Sequence, residues 1–238
     1  MQLSVLLHLI RLKGEAFPDR RAELYREYFK TVIDRDVEKS PALRQNRDEI
    51  EALHEVIAFE IHMRAETDQA KTQLAREELL EIVSRWLADE GKNADVGQEL
   101  FRIGEERLGL IVALKGEGAN VRYGFEVQPV REYFAAAFIN DKREGDAHEL
   151  FPAMIRRTFW REVALFLAGL RRVNEKSDLL SRSRSLDESQ MDGWRQDGRA
   201  MVLQLLLEGV LSSPGHVFRD SIAFLLDLLV LLGHKRTF

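Results

Sequence analysis

The chain contains no cysteine. That absence excludes disulfides, thiolate metal sites and cysteine nucleophiles, and it fits a reducing compartment, so a cytoplasmic location is expected. Charge of one sign is not in excess either, since 35 Lys and Arg face 40 Asp and Glu, for a formal net charge of −5. A mildly acidic chain has no global attraction for phosphate backbones or anionic membranes. Long apolar runs are also missing. "LSVLLHLIRL" (Leu3–Leu12) has no basic leader or small-residue cleavage site. "IAFLLDLLVLLG" (Ile222–Gly233) is interrupted by Asp227 and is too short to span a bilayer. Both read as buried helices of a soluble chain, and no membrane partner is expected.

The usual chemical motifs are lacking as well. No Gly-x-x-x-x-Gly-Lys-Ser/Thr loop, Gly-x-Ser-x-Gly elbow or His-Glu-x-x-His pair occurs. His54 and His62 fall on one predicted helix, but their separation is not the one-turn spacing by which two imidazoles share a metal, and a solvated helix face is the expected place for both. His8, His148, His216 and His234 are scattered, with no obvious partner. Neither a catalytic nor a metal-binding residue is assigned.

What is present is enough apolar side chain for a sizeable core, with 45% hydrophobic and 32% charged residues. The leucines of Leu3–Leu12 stop at Gly14, and a second helix follows Pro18 to about Asp36 through Leu24, Tyr28 and Val32. "EKSPALRQNRD" is polar and holds Pro41, so it reads as a linker. Three helices are then expected: about Asp48 to Arg64 (Ile50, Leu53, Ile57, Ile61 on one face), Thr72 to Asp89 (Leu79, Ile82, Val83, Trp86, Leu87) and Asp95 to Arg107 (Val96, Leu100, Ile103).

The texture changes at Gly109. "GLIVAL" is short and apolar, "KGEGAN" is turn-like and "VRYGFEV" alternates, which predicts a β-hairpin with Gly116 and Gly118 at its tip rather than a phosphate cradle. Pro129 cannot donate to a strand ladder, yet its fixed φ suits a first helical turn, so it converts strand to helix on the way to about Asn140. The aromatics Tyr123, Phe125, Tyr133, Phe134 and Phe138 read as the seam between hairpin and helix, with a ligand site as the alternative. Arg131 and Glu132 read either as a contact to a neighbouring domain or as a solvated pair.

Beyond Gly145 the pattern is helical throughout, with Pro152 near a helix start and Gly169 near an end. The Ser-rich stretch Glu175–Gly193 reads as a loop or a poorly packed helix. Trp194–Gly209 and Pro214–Gly233 read as an antiparallel pair turned by "SSPG". The expected fold is mainly α: a winged-helix-like domain with one β-hairpin (47–142), flanked by an N-terminal helix pair (1–37) and a C-terminal, solenoid-like helical region (146–238).

Four stretches in this order resemble the C-terminal part of bacterial NACHT-type proteins of the STAND class of signalling NTPases. "LSVLLHLIRLKGEAFPDRRAELYREYFKTVI" is similar to the helical domain after the nucleotide-binding core. "IAFEIHMR" resembles the opening helix of that family's winged-helix domain, and "RLGLIVALKGEGANVRYGFEVQPVREYFAAAFI" its wing and the helix after it. "WREVALFLAGL" resembles the start of the superstructure-forming helices. The resemblance covers about Gln2 to Leu170 and marks Tyr123, Gly124, Phe125, Arg131, Glu132 and Tyr133 as signature or interdomain positions.

It implies a winged-helix domain that holds a nucleotide-binding core shut, and possible oligomerisation on activation. The implied partner is the NTPase core of a parent protein or of a split partner. The departures limit what carries over. The phosphate loop and an acidic magnesium-binding strand are absent, so ATP, ADP and magnesium are expected only for a complete parent protein, and no cofactor or enzyme activity is expected of this chain alone, which reads as a fragment. Many relatives place a phosphate-contacting histidine two residues after the Tyr-Gly-Phe aromatic; here that position is Val127, so that contact is not transferred. A winged-helix regulator binding nucleic acid is the alternative reading. "DVGQELFRIGEERLG", which would enter the major groove, has more acids than bases and makes nucleic acid a poor partner. A helical-repeat interaction protein with no nucleotide history is a third reading, and it predicts no isolated hairpin.

Overall fold

The computed structural model describes residues 20–68, 72–93, 96–108, 110–116, 121–142, 144–189 and 196–234. The expected helix Leu3–Leu12, Pro18, His8, Gly118 and Trp194 lie outside them. The described chain forms two compact units, one of residues 24–138 and one of residues 20–23 with 139–234. It is mainly helical, with one small antiparallel sheet.

In the first unit, helix α1 (Arg21–Val37) contributes Tyr25, Phe29, Val32 and Ile33 to the core. The polar stretch expected as a linker holds a short helix, α2 (Pro41–Gln45), with Leu43 fully buried. Ser40 caps it by accepting from the Leu43 N–H at 3.2 Å, and Pro41 supplies the helical φ of the first position. Serine followed by proline is here a start signal rather than a break.

Helix α3 (Arg47–Thr67) buries the expected stripe Ile50, Leu53, Ile57 and Ile61. The helix expected from Thr72 begins instead at Arg76, because Leu74–Ala75 form strand β1. Helix α4 (Arg76–Asp89) then starts where the Glu78 carboxylate accepts the Ala75 N–H at 2.8 Å. Helix α5 (Gly97–Ile103) is shorter than expected, and Gly104–Leu108 continue as a π-helical turn.

The hairpin is present as β2 (Ile111–Lys115) and β3 (Arg122–Phe125), paired Ile111 to Phe125, Val112 to Gly124 and Ala113 to Tyr123, with an irregularity between Ala113 and Lys115. Gly116 leaves β2 at φ +94°, which supports its turn role. Strand β1 adds to the other edge of β3, Leu74 opposite Tyr123 and Ala75 opposite Arg122, so the sheet order is β1-β3-β2. Helix, strand, two helices and two strands in that order make the winged-helix-like arrangement. Helix α6 (Gln128–Lys142) follows at once, with the Val127 carbonyl accepting from the Val130 N–H at 3.1 Å.

The second unit is built on helices α7 (Glu144–Arg156), α8 (Arg161–Leu170), α9 (Lys176–Glu188), α10 (Asp197–Leu207) and α11 (Gly215–His234). Pro152 lies inside α7 rather than near its start. Gly169 does sit at the end of α8, where a Cβ would come within 2.7 Å of the Ala22 Cβ. The Ser-rich stretch is not a loop: α9 is well packed through Leu179, Leu180, Ser183 and Leu186 against α7, α10 and α11. Ser183 fits there because its hydroxyl bonds back to the Leu179 carbonyl at 2.9 Å, so the small polar side chain is satisfied within its own helix. Helix α10 ends on Gly209 at φ +69°, with the Val210 N–H donating to the Leu205 carbonyl at 2.8 Å. Among the described residues no helix is long and apolar enough to cross a membrane.

Candidate functional site

Residues 130–137 of α6 are buried on every side, and two of them are charged. Continuous burial needs neighbours all round the helix, and α1, α3 and β3 supply them. Tyr133 stacks on Tyr25 of α1 at 5.8 Å and on Phe29 at 5.3 Å, while Phe134 meets Phe29 at 4.5 Å, His54 of α3 at 5.7 Å and Phe125 of β3 at 6.0 Å. Such ring pairs add about 0.5–1.5 kcal/mol each beyond their area burial. The expected seam between hairpin and helix is therefore carried by Phe125 on Phe134. Tyr123 is not part of it: its ring packs edge-on to Phe101 of α5 at 5.8 Å, and Phe138 packs on Phe59 of α3 at 4.7 Å.

Arg131 and Glu132 are both buried, which rules out the solvated pair. Glu132 accepts from Gln128 Nε2 at 2.7 Å, one turn earlier on α6. Burial holds the Arg131 guanidinium below its ordinary pKa, opposed by the nearby Glu132 charge, and Arg131 Nε makes no protein hydrogen bond. Burial also raises the Tyr133 hydroxyl, with Arg26 acting the other way. These are charges held inside a core, where leaving one unpaired costs several kcal/mol.

The two histidines of α3 are also inside, not on a solvated face. The His54 ring meets the Ile50 carbonyl through Nδ1 at 2.6 Å, and burial lowers its pKa to about 4. A Cβ on Gly104 would lie 3.2 Å from His54 Cε1, a tight contact that glycine spares where the π turn passes over this ring. His148, read as unpartnered, pairs with Asp178 at 2.7 Å, and His216 is exposed. Among the described residues no group of three or more His, Asp or Glu side chains is placed to hold a metal.

Gly124 has a structural reason of its own. A Cβ there would sit 2.7 Å from the Thr72 carbonyl oxygen, just before β1, so glycine permits the third strand to close on β3. Of the six signature positions, Phe125, Arg131, Glu132 and Tyr133 share one core, Tyr123 faces α5, and Gly124 serves the sheet.

Among the described residues of the second unit, two recesses stand out. One of about 460 Å³ is lined by Arg20, Arg21, Leu207, Glu208, Gly209 and Ser212. Its cations are already answered: Arg20 by Glu23 at 3.1 Å, and Arg21 by Glu162 at 2.8 Å and Glu208 at 3.5 Å. The other, about 240 Å³, is lined by Asn140, Asp141, Leu170, Arg171, Arg172 and Glu175, two cations against two anions. Neither presents a net field to a phosphate. Nearby, Lys176 is fully buried, with burial lowering its pKa and Arg20 adding to that, but it lines neither recess.

Sequence reasoning missed the burial of His54 and His62, strand β1 and the packing of α9. A signal existed for the first, since His54, Ala58, His62 and Ala65 continue the spacing of the Ile50–Ile61 stripe. Against family models, curated proteins and solved structures the chain finds no match.

Proposed function

We propose that this chain is a regulatory and scaffolding module of a NACHT-like STAND NTPase. Its winged-helix-like domain would act as a lid on a nucleotide-binding core carried by a parent protein or a split partner, and the helices after it would form the sensor side. The observation that supports the reading is the order of elements: a helix carrying "LYREYF", then helix, strand, two helices, hairpin, and an aromatic-alanine helix packed on the first through Tyr25, Phe29, Tyr133 and Phe134. A lid of this kind works as a two-state arrangement that ligands bias, not as a catalyst. The chain lacks the residues that grip phosphates and magnesium, so on its own it neither binds nor hydrolyses ATP.

Isothermal titration of the purified chain with ATP–Mg²⁺ and with ADP tests this, and no saturable heat is expected. Micromolar binding of either nucleotide would overturn the reading. A gel shift on duplex DNA separates the alternative. A winged-helix regulator needs cations on α5 and the wing, but Arg102 is tied to Glu99 at 2.7 Å and Arg122 to Glu78 at 3.1 Å. Salt-sensitive binding at nanomolar protein would favour that regulator instead.

A further inference from the structure

We draw no further inference here: the strongest candidate, the exposed apolar stripe of Phe218, Ile222 and Leu226 along α11, carries nothing because nothing in the structure shows what covers it.

Discussion

Gly198, the second residue of α10, lies against the backbone of α9. A Cβ built on it would sit 1.9 Å from the Ser183 carbonyl oxygen, 2.8 Å from the carbonyl carbon and 2.9 Å from Asp187 Oδ1. A carbon–oxygen contact settles near about 3.3 Å, so Gly198→Ala forces the two helices apart locally by about 1.4 Å. Neither contact on Ser183 is the end of a flexible side chain that could swing away. The same shift pulls on the cap of α10, where the Asp187 carboxylate accepts from the Gly198 N–H at 2.7 Å and from the Arg199 N–H at 3.0 Å. Overpacking costs about 1–3 kcal/mol, and a weakened bond to a buried carboxylate adds about 1.5–3 kcal/mol. Alanine recovers at most about 1 kcal/mol of helix propensity, and less in a first turn. The expected net loss is about 2–4 kcal/mol, a drop of roughly 10–25 °C in the melting of a unit of this size. Differential scanning calorimetry on the full chain reads it, with Gly215→Ala as the control because nothing lies within 4 Å of a Cβ there. A Gly198→Ala protein that melts with the wild type would refute the close approach of α9 and α10.

Two further predictions concern the first unit. Gly124→Ala puts a methyl 2.7 Å from the Thr72 carbonyl and should strip β1 from β3 at a cost of about 1–3 kcal/mol. Hydrogen exchange of the 122–125 amides should quicken while β2 keeps its register, and unchanged protection would count against the third strand. His54 has its folded pKa depressed to about 4 from the usual 6.5, so below about pH 6.5 the unfolded chain takes up a proton that the folded chain refuses. Its stabilising effect is therefore complete above the unfolded value and is lost as pH falls towards 4, amounting to about 2 kcal/mol by pH 5. Urea unfolding at pH 8 and pH 5 should show that difference and His54→Leu should remove it. A variant with the same pH dependence as the wild type would place the titration elsewhere.

The spacing of apolar residues named the buried faces of α3 and α4, because a helix face is a property of one segment. It failed where burial depends on what a second segment brings. His54 and His62 sit on the apolar line of α3, but their chemistry argued for water; the Ile50 carbonyl answers Nδ1 of His54, and the bare Cα of Gly104 leaves room for its ring. β1 has two residues, too few for any alternation, and exists because Gly124 leaves room for Thr72. Serines in α9 suggested a loop, yet Ser183 is where α10 comes closest.

Arg131 and Glu132 follow the same logic. Two adjacent charges in a helix usually mark its wet side, and here they are enclosed because α6 is wrapped by α1, α3 and β3. Gly124, Gly169 and Gly198 share one physical role, admitting an atom from a distant segment to within 3 Å of where a side chain would begin. Such positions fix which elements meet, while the apolar stripes fix only which side of each element turns inward. A single sequence displays the stripes openly and gives each glycine no visible partner, so the pairing of elements was the part that had to be seen.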